Sequence, residues 1–174
     1  MFKAVLDVLT LNNDGITRLW IQKIRNAPNL VAIGSLDDDV LSRVFKELGR
    51  NLGLWFSKEI DKNDIGSFFV GLGKSCLARE LPVSEISFAL LLAQRATVEY
   101  ISNESVLDTS MALYQALDVT RQINEFFFLG SYYMLKGYLE DAYVALRNDG
   151  AVADEVLRKY FSDDFYFKDL KVNQ

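Results

Sequence analysis

The run Gly71-Leu72-Gly73-Lys74-Ser75 comes nearest to a chemical motif, a glycine-rich loop whose amides cradle a phosphate while a lysine neutralises it. That motif requires another glycine at position 68, where the chain has Phe68, and a strand ahead of the loop. Nucleotide binding is therefore set aside. The small residues Gly66, Ser67, Gly71, Gly73 and Ser75 read instead as helix surfaces that let a neighbour approach closely, at some cost in helix propensity. The chain contains no histidine. This excludes histidine-ligated haem, the Glu-x-x-His iron site of helical bundles, histidine zinc sites and a histidine general base. Neither metal nor cofactor is expected, haem least of all, and the chain does not read as an enzyme.

The carboxylates point the same way. Asp37-Asp38-Asp39 stands at a predicted helix start, where negative charge complements the helix dipole, and Asp163-Asp164 lies beside the tail. Arg95 and Glu99 are four apart, and Asp118, Arg121 and Glu125 are three and four apart, spacings that suit solvent-facing ion pairs. The alternative is a ligand pocket in which Arg95 or Arg121 meets a polar group and Trp20, Trp55 or Phe88 supplies an apolar wall. The single cysteine, Cys76, has no internal partner for a disulfide and sits among apolar residues, so it reads as a buried thiol in a reducing compartment.

The elements that must position these residues are helical throughout. Pro82 ends one helix at Leu81, and Ser84 is expected to cap the next, with Glu85 near its positive end. Ile86, Leu90, Ala93, Thr97 and Tyr100 keep helical spacing. Phe88 to Ala93 is apolar all round, which predicts a central helix covered on most sides. Earlier in the chain, Phe2 to Leu11 forms a short helix candidate before the turn-prone Asn12 to Gly15. Ile16, Leu19, Trp20 and Ile24 line a second helix, up to the break at Pro28. Ser35 and Asp38 open a third in capping-box fashion, with Leu36, Val40, Val44, Leu48, Leu52, Trp55 and Phe56 as its apolar stripe to about Ile60. Asp61 to Asp64 form a polar joint, and Ile65, Phe68, Phe69, Leu72 and Cys76 mark a fourth helix.

After a polar loop at Ser102 to Ser105, the region from Asp108 to Arg147 has no proline. Gly130 and Gly137 weaken it locally, and it is split into two helices near Asp118 to Gln122. Val152, Val156, Leu157, Tyr160 and Phe161 form a last amphipathic helix. With no period-two alternation and no repeat, the class is all-α, a bundle of about six to eight helices. Residues 1–150 form the helical domain, and 151–174 form a C-terminal helix and aromatic tail. The net charge of −5 favours neither nucleic acid nor an anionic membrane. The longest uncharged apolar stretch, Phe126 to Leu135, is about half a membrane span. A cytoplasmic protein that does not insert into membranes is expected.

Aromatic residues are in excess at two places. Phe126 to Tyr133 covers every side of its helix, so one face enters the core while another meets a second helix or a second subunit. Phe126, Phe128, Tyr132 and Tyr133 are accordingly candidates for a homodimer interface. In the tail, Phe161, Phe165, Tyr166 and Phe167 crowd beside the acidic pair. They either fold back onto the body or dock on a partner protein.

The order Ile16-x-x-x-Trp20-x-x-x-Ile24, the helix from Leu36 to Ile60, and Gly73-x-x-x-Leu77-Ala78-Arg79-Glu80-Leu81-Pro82-Val83-Ser84-Glu85-Ile86 resembles the N-terminal domain of RsbR and RsbRD-type regulators over residues 10 to 147. The resemblance implies a non-haem, globin-like fold, pairing as a homodimer, and a sensory role in general-stress signalling with an unknown signalling protein as partner. Relatives of that type continue into a phosphorylatable STAS domain, for which the 24 residues after Gly150 leave no room. A stand-alone, sensor-like regulatory domain is the expected function, with a small-molecule carrier or sensor as the alternative.

Overall fold

The computed structural model describes residues 13–104, 110–150 and 152–161, which form seven helices and no strand. These are α1 (Asn13–Arg25), α2 (Val31–Gly34), α3 (Asp38–Ser57), α4 (Lys62–Ala78), α5 (Val83–Glu104), α6 (Ser110–Asp149) and α7 (Asp154–Tyr160). The all-α class and the helix number agree with the sequence. The candidate helix at Phe2 to Leu11 and the tail residues Phe165, Tyr166 and Phe167 lie outside the described residues.

The tightest packing joins α4 to α6, and the glycines explain it. A Cβ on Gly73 would stand 2.0 Å from the Met134 carbonyl oxygen, and one on Gly137 would stand 2.3 Å from that of Val70. Gly130 faces the ring of Phe69 in the same contact. The two helices run parallel, as the Lys62–Glu125 ion pair at the start of α4 and the Lys74–Asp141 pair further along both helices require. Phe69 packs edge-on against Phe126, and Phe126 against Phe127, at centroid distances of 5.4 Å.

Helix α5 returns antiparallel to α6. Gln94 donates to Asn124 midway along α5, and the Tyr138 hydroxyl donates to the Leu81 carbonyl just before its start. Helix α1 packs between α3 and α5 through Trp20, whose ring lies 5.3 Å from Phe45. The Trp20 Nε1–H donates to the Ala93 carbonyl at 2.9 Å and to the Thr97 hydroxyl at 3.2 Å. The indole is thus buried without an orphaned donor.

Several local expectations are corrected. Helix α6 is continuous for 40 residues, about 60 Å at the helical rise. At the predicted break, Asp118 accepts from Arg121 and from Gln122, bonds that span one helical turn and hold it closed. Gly130 and Gly137 mark the contact with α4, where a side chain has no space, so they are no sign of a bend. Helix α3 begins with Asp37 as N-cap and has no side-chain cap, while the Ser35 hydroxyl bonds the Ala32 carbonyl. The capping box belongs to α4, where Asp61 and Asp64 bond each other's backbone amides.

Helix α5 starts at Val83, one residue before Ser84, with the Pro82 carbonyl accepting from Ile86. Glu85 reaches across to the amides of Ala32 and Ile33 and thereby anchors α2, a four-residue helix with no periodicity to announce it. The face Ile86, Leu90, Ala93 and Thr97 of α5 is buried as expected, but Phe88 and Leu91 are exposed. Helix α5 is therefore a half-buried helix, and α4 and α6 form the core pair.

Candidate functional site

Between the C-terminal end of α4 and helices α2, α3 and α5 lies an apolar cavity of about 100 Å³. Its wall combines Ile33 of α2, Leu41, Phe45 and Leu48 of α3, Leu72 and Cys76 of α4, Ile86, Ala89 and Leu90 of α5, and Met134 of α6. Val40 and Val44 also line it and are only half-buried, whereas Leu41, Phe45, Leu48, Leu52 and Phe56 form the buried stripe of α3. The predicted stripe holds at Leu48, Leu52 and Phe56, and only at its N-terminal end is it one residue off, where Leu41 and Phe45 are buried while Val40 and Val44 are half-buried at the cavity. Burial in this wall pushes the Cys76 thiol from its ordinary 9.0 up to about 11, with Arg79 pulling weakly the other way. The cysteine is inert at neutral pH.

A second feature is an exposed apolar row along the outside of α5 and α6. Phe128 is 74% exposed, Tyr132 57% and Leu91 54%, with Leu117 and Leu139 further along α6 and Phe88 on α5. Leu91, Gln94, Arg95, Val98 and Glu99 face Thr120 and Asn124 across a shallow open groove between the two helices. Four residues beyond Asn124, one helical turn, stands Phe128, so groove and aromatic row share one face.

The predicted site residues separate accordingly. Of the four interface candidates, Phe126 is 0% exposed and belongs to the core. Tyr133 is half-buried and packed against that core, with its ring 5.1 Å from that of Tyr132. Phe128 and Tyr132 alone of the four face outward. The ligand-pocket candidates do not converge. Trp20 is buried against Phe45 and Ala93, Phe88 is exposed, and Trp55 is half-buried with its Nε1 lacking a hydrogen-bond partner among the described residues. None of the three lines the cavity.

Arg95 stands in the open groove and forms no ion pair with a described residue, while its predicted partner Glu99 pairs with Lys23 at 2.8 Å. Arg121 pairs with Asp118 at 2.8 Å, and this contact holds the Asp118 carboxyl below its usual range and raises Arg121. Lys74, the cation of the loop-like run, lies 2.9 Å from Asp141 and 3.6 Å from the buried Glu140, so carboxylates occupy it. Phe161 packs on Tyr143 of α6 at 6.1 Å, and Leu157 of α7 is buried. The visible start of the C-terminal segment thus folds onto the body.

Residues of the cavity wall carried no sequence signal beyond ordinary helical periodicity, because a void is a shortage of volume. Among the described residues no group of three His, Cys, Asp or Glu side chains is arranged to hold a metal ion, and no helix is long and apolar enough to cross a membrane. A scan against protein-family models matches none, and searches of curated proteins and of solved structures return no significant match.

Proposed function

We propose that this chain is a non-enzymatic regulatory module of the cytoplasm that acts through protein contacts as a homodimer, with the outer face of α5 and α6 as the contact. The exposed row of Phe128, Tyr132, Leu91 and Leu117 carries the reading. Rings of this size standing in water on neighbouring turns gain about 25 cal/mol for each Å² they bury. Two copies of a two-helix face pack as a four-helix unit, a self-complementary arrangement suited to two-fold symmetry. The sequence resemblance to RsbRD-type N-terminal domains supports the same reading and adds a globin-like arrangement and a place in stress signalling. Phe128→Glu combined with Tyr132→Glu tests it. Both sites are exposed, so the variant is expected to melt like the wild type yet sediment as a monomer where the wild type is a dimer. A variant that remains dimeric places the interface elsewhere.

A second reading is favoured by the apolar cavity: a sensor whose small-molecule ligand occupies the space between α3, α4 and α5. Filling that space would fix how the three helices pack, and α5 carries the outer face as well, so the two readings are compatible.

A further inference from the structure

We propose that the cavity is a dry site for a single neutral, apolar molecule of about four or five non-hydrogen atoms, of the class of a short or cyclic hydrocarbon. The proposal rests on the ligand-sensor reading of the cavity and names the chemistry and size of the ligand. By volume alone, about 100 Å³ would admit water, which requires roughly 10–15 Å³, but a buried water also needs about two to four polar partners. The wall offers almost none. Ile33, Leu41, Phe45, Leu90 and Met134 have side chains of carbon and sulfur alone, and the polar lining members, Ser75 and Arg79, are exposed and give the space almost no polar surface. A charged or hydrogen-bonding ligand would leave its water shell there without replacement.

The size follows from the same geometry. An apolar cavity of roughly 150 Å³ takes benzene, a six-carbon ring, so in proportion about 100 Å³ takes about four carbons. The packing explains why the space exists. Helix α3 lies close along α1 and touches α6, but its backbone hardly approaches α4 or α5. Wall atoms facing that gap lack partners for dispersion contacts, and an apolar occupant supplies them without giving up a hydrogen bond. Such an occupant touches α3, α4 and α5 together, and so joins the two sides of a seam that the chain itself packs loosely.

Cyclopentane, tetrahydrofuran and cyclooctane test this with full-length protein, since the first two are rings of one size that differ by an ether oxygen and the third is too large. The ¹³C-methyl resonance of Met134 places binding in the cavity, and its dependence on ligand concentration gives the affinities. Cyclopentane is expected to shift Met134 saturably, tetrahydrofuran to bind at least about tenfold more weakly, and cyclooctane to leave the resonance in place. Ala89→Leu, which puts carbon atoms into the same space, should abolish the response to cyclopentane. Tetrahydrofuran or cyclooctane binding as tightly as cyclopentane overturns the assignment of a small apolar ligand and leaves the cavity reading standing. A folded Ala89→Leu protein that still binds cyclopentane overturns the placement, and if that variant does not fold, the three ligands on the wild type decide alone. If none of them moves Met134, the cavity reading falls together with the proposal.

Discussion

Gly73→Ala and Gly71→Ala, two residues apart on one helix, should shift stability in opposite directions. Alanine is favoured over glycine in a helix interior by about 1 kcal/mol, so propensity alone stabilises both variants. A Cβ on Gly71 meets nothing within 4 Å. That substitution should keep the gain and raise the melting temperature by about 2–4 °C for a chain of this size. A Cβ on Gly73 would lie 2.0 Å from the Met134 oxygen, 2.9 Å from the Tyr138 nitrogen and 3.0 Å from the Met134 carbonyl carbon. All three are backbone atoms, so no rotamer change relieves the overlap. Ordinary contact begins near 3.4 Å, and α4 and α6 must therefore part by about 1.4 Å at this point. Such a separation loosens the contact that buries Phe69, Val70 and Phe126, at about 3 kcal/mol or more, and it outweighs the propensity gain by about 2 kcal/mol. Thermal unfolding followed by circular dichroism should show Gly73→Ala melting about 4–8 °C below the wild type. A Gly73→Ala protein that melts at or above the wild type would refute the close α4–α6 crossing on which the fold description stands.

Leu90→Asp places an unpaired carboxylate on the buried face of α5. It should cost several kcal/mol of a total near 5–15 and leave the protein unfolded or barely folded at room temperature, which urea titration would show. Trp20→Phe keeps the ring buried and deletes the donor to Ala93 and Thr97, for an expected loss of about 1–2 kcal/mol in the same assay. The raised Cys76 thiol gives a pH dependence. Between pH 9.0 and about 11 the unfolded chain releases this proton while the folded one retains it, so the unfolded state binds fewer protons and stability falls as pH rises through that window. Cys76→Val should flatten the decline relative to the wild type, and native Cys76 should react with a disulfide reagent at pH 8 only as fast as the chain opens.

The sequence made the buried face of α5 legible through the spacing of Ile86, Leu90, Ala93 and Thr97, and the small residues around Gly73 as a packing surface, because periodicity and size are local properties. It did not reveal which side of an apolar helix stays wet. Phe126 and Phe128 are alike in type and two apart in sequence, and only the position of the neighbouring helices makes one fully buried and the other exposed. Gly137 was ambiguous for the same reason. A glycine that weakens an isolated helix and one that admits a neighbour's backbone look identical until the neighbour, here Val70, is in place. Helix α2 was missed because four residues carry no period, and its anchor, Glu85, lies more than fifty residues away. Trp20, Trp55 and Phe88, the expected apolar wall of a pocket, do not line the cavity. The cavity lies instead where Val40 and Val44 of α3 fall short of filling the space toward α5.

Native mass spectrometry of the wild-type protein, purified from its own host and held at micromolar concentration, tests the central claim most directly. The account predicts a species of twice the chain mass that separates into single chains when Phe128 and Tyr132 are both replaced by glutamate. A wild-type protein that is monomeric under these conditions contradicts it.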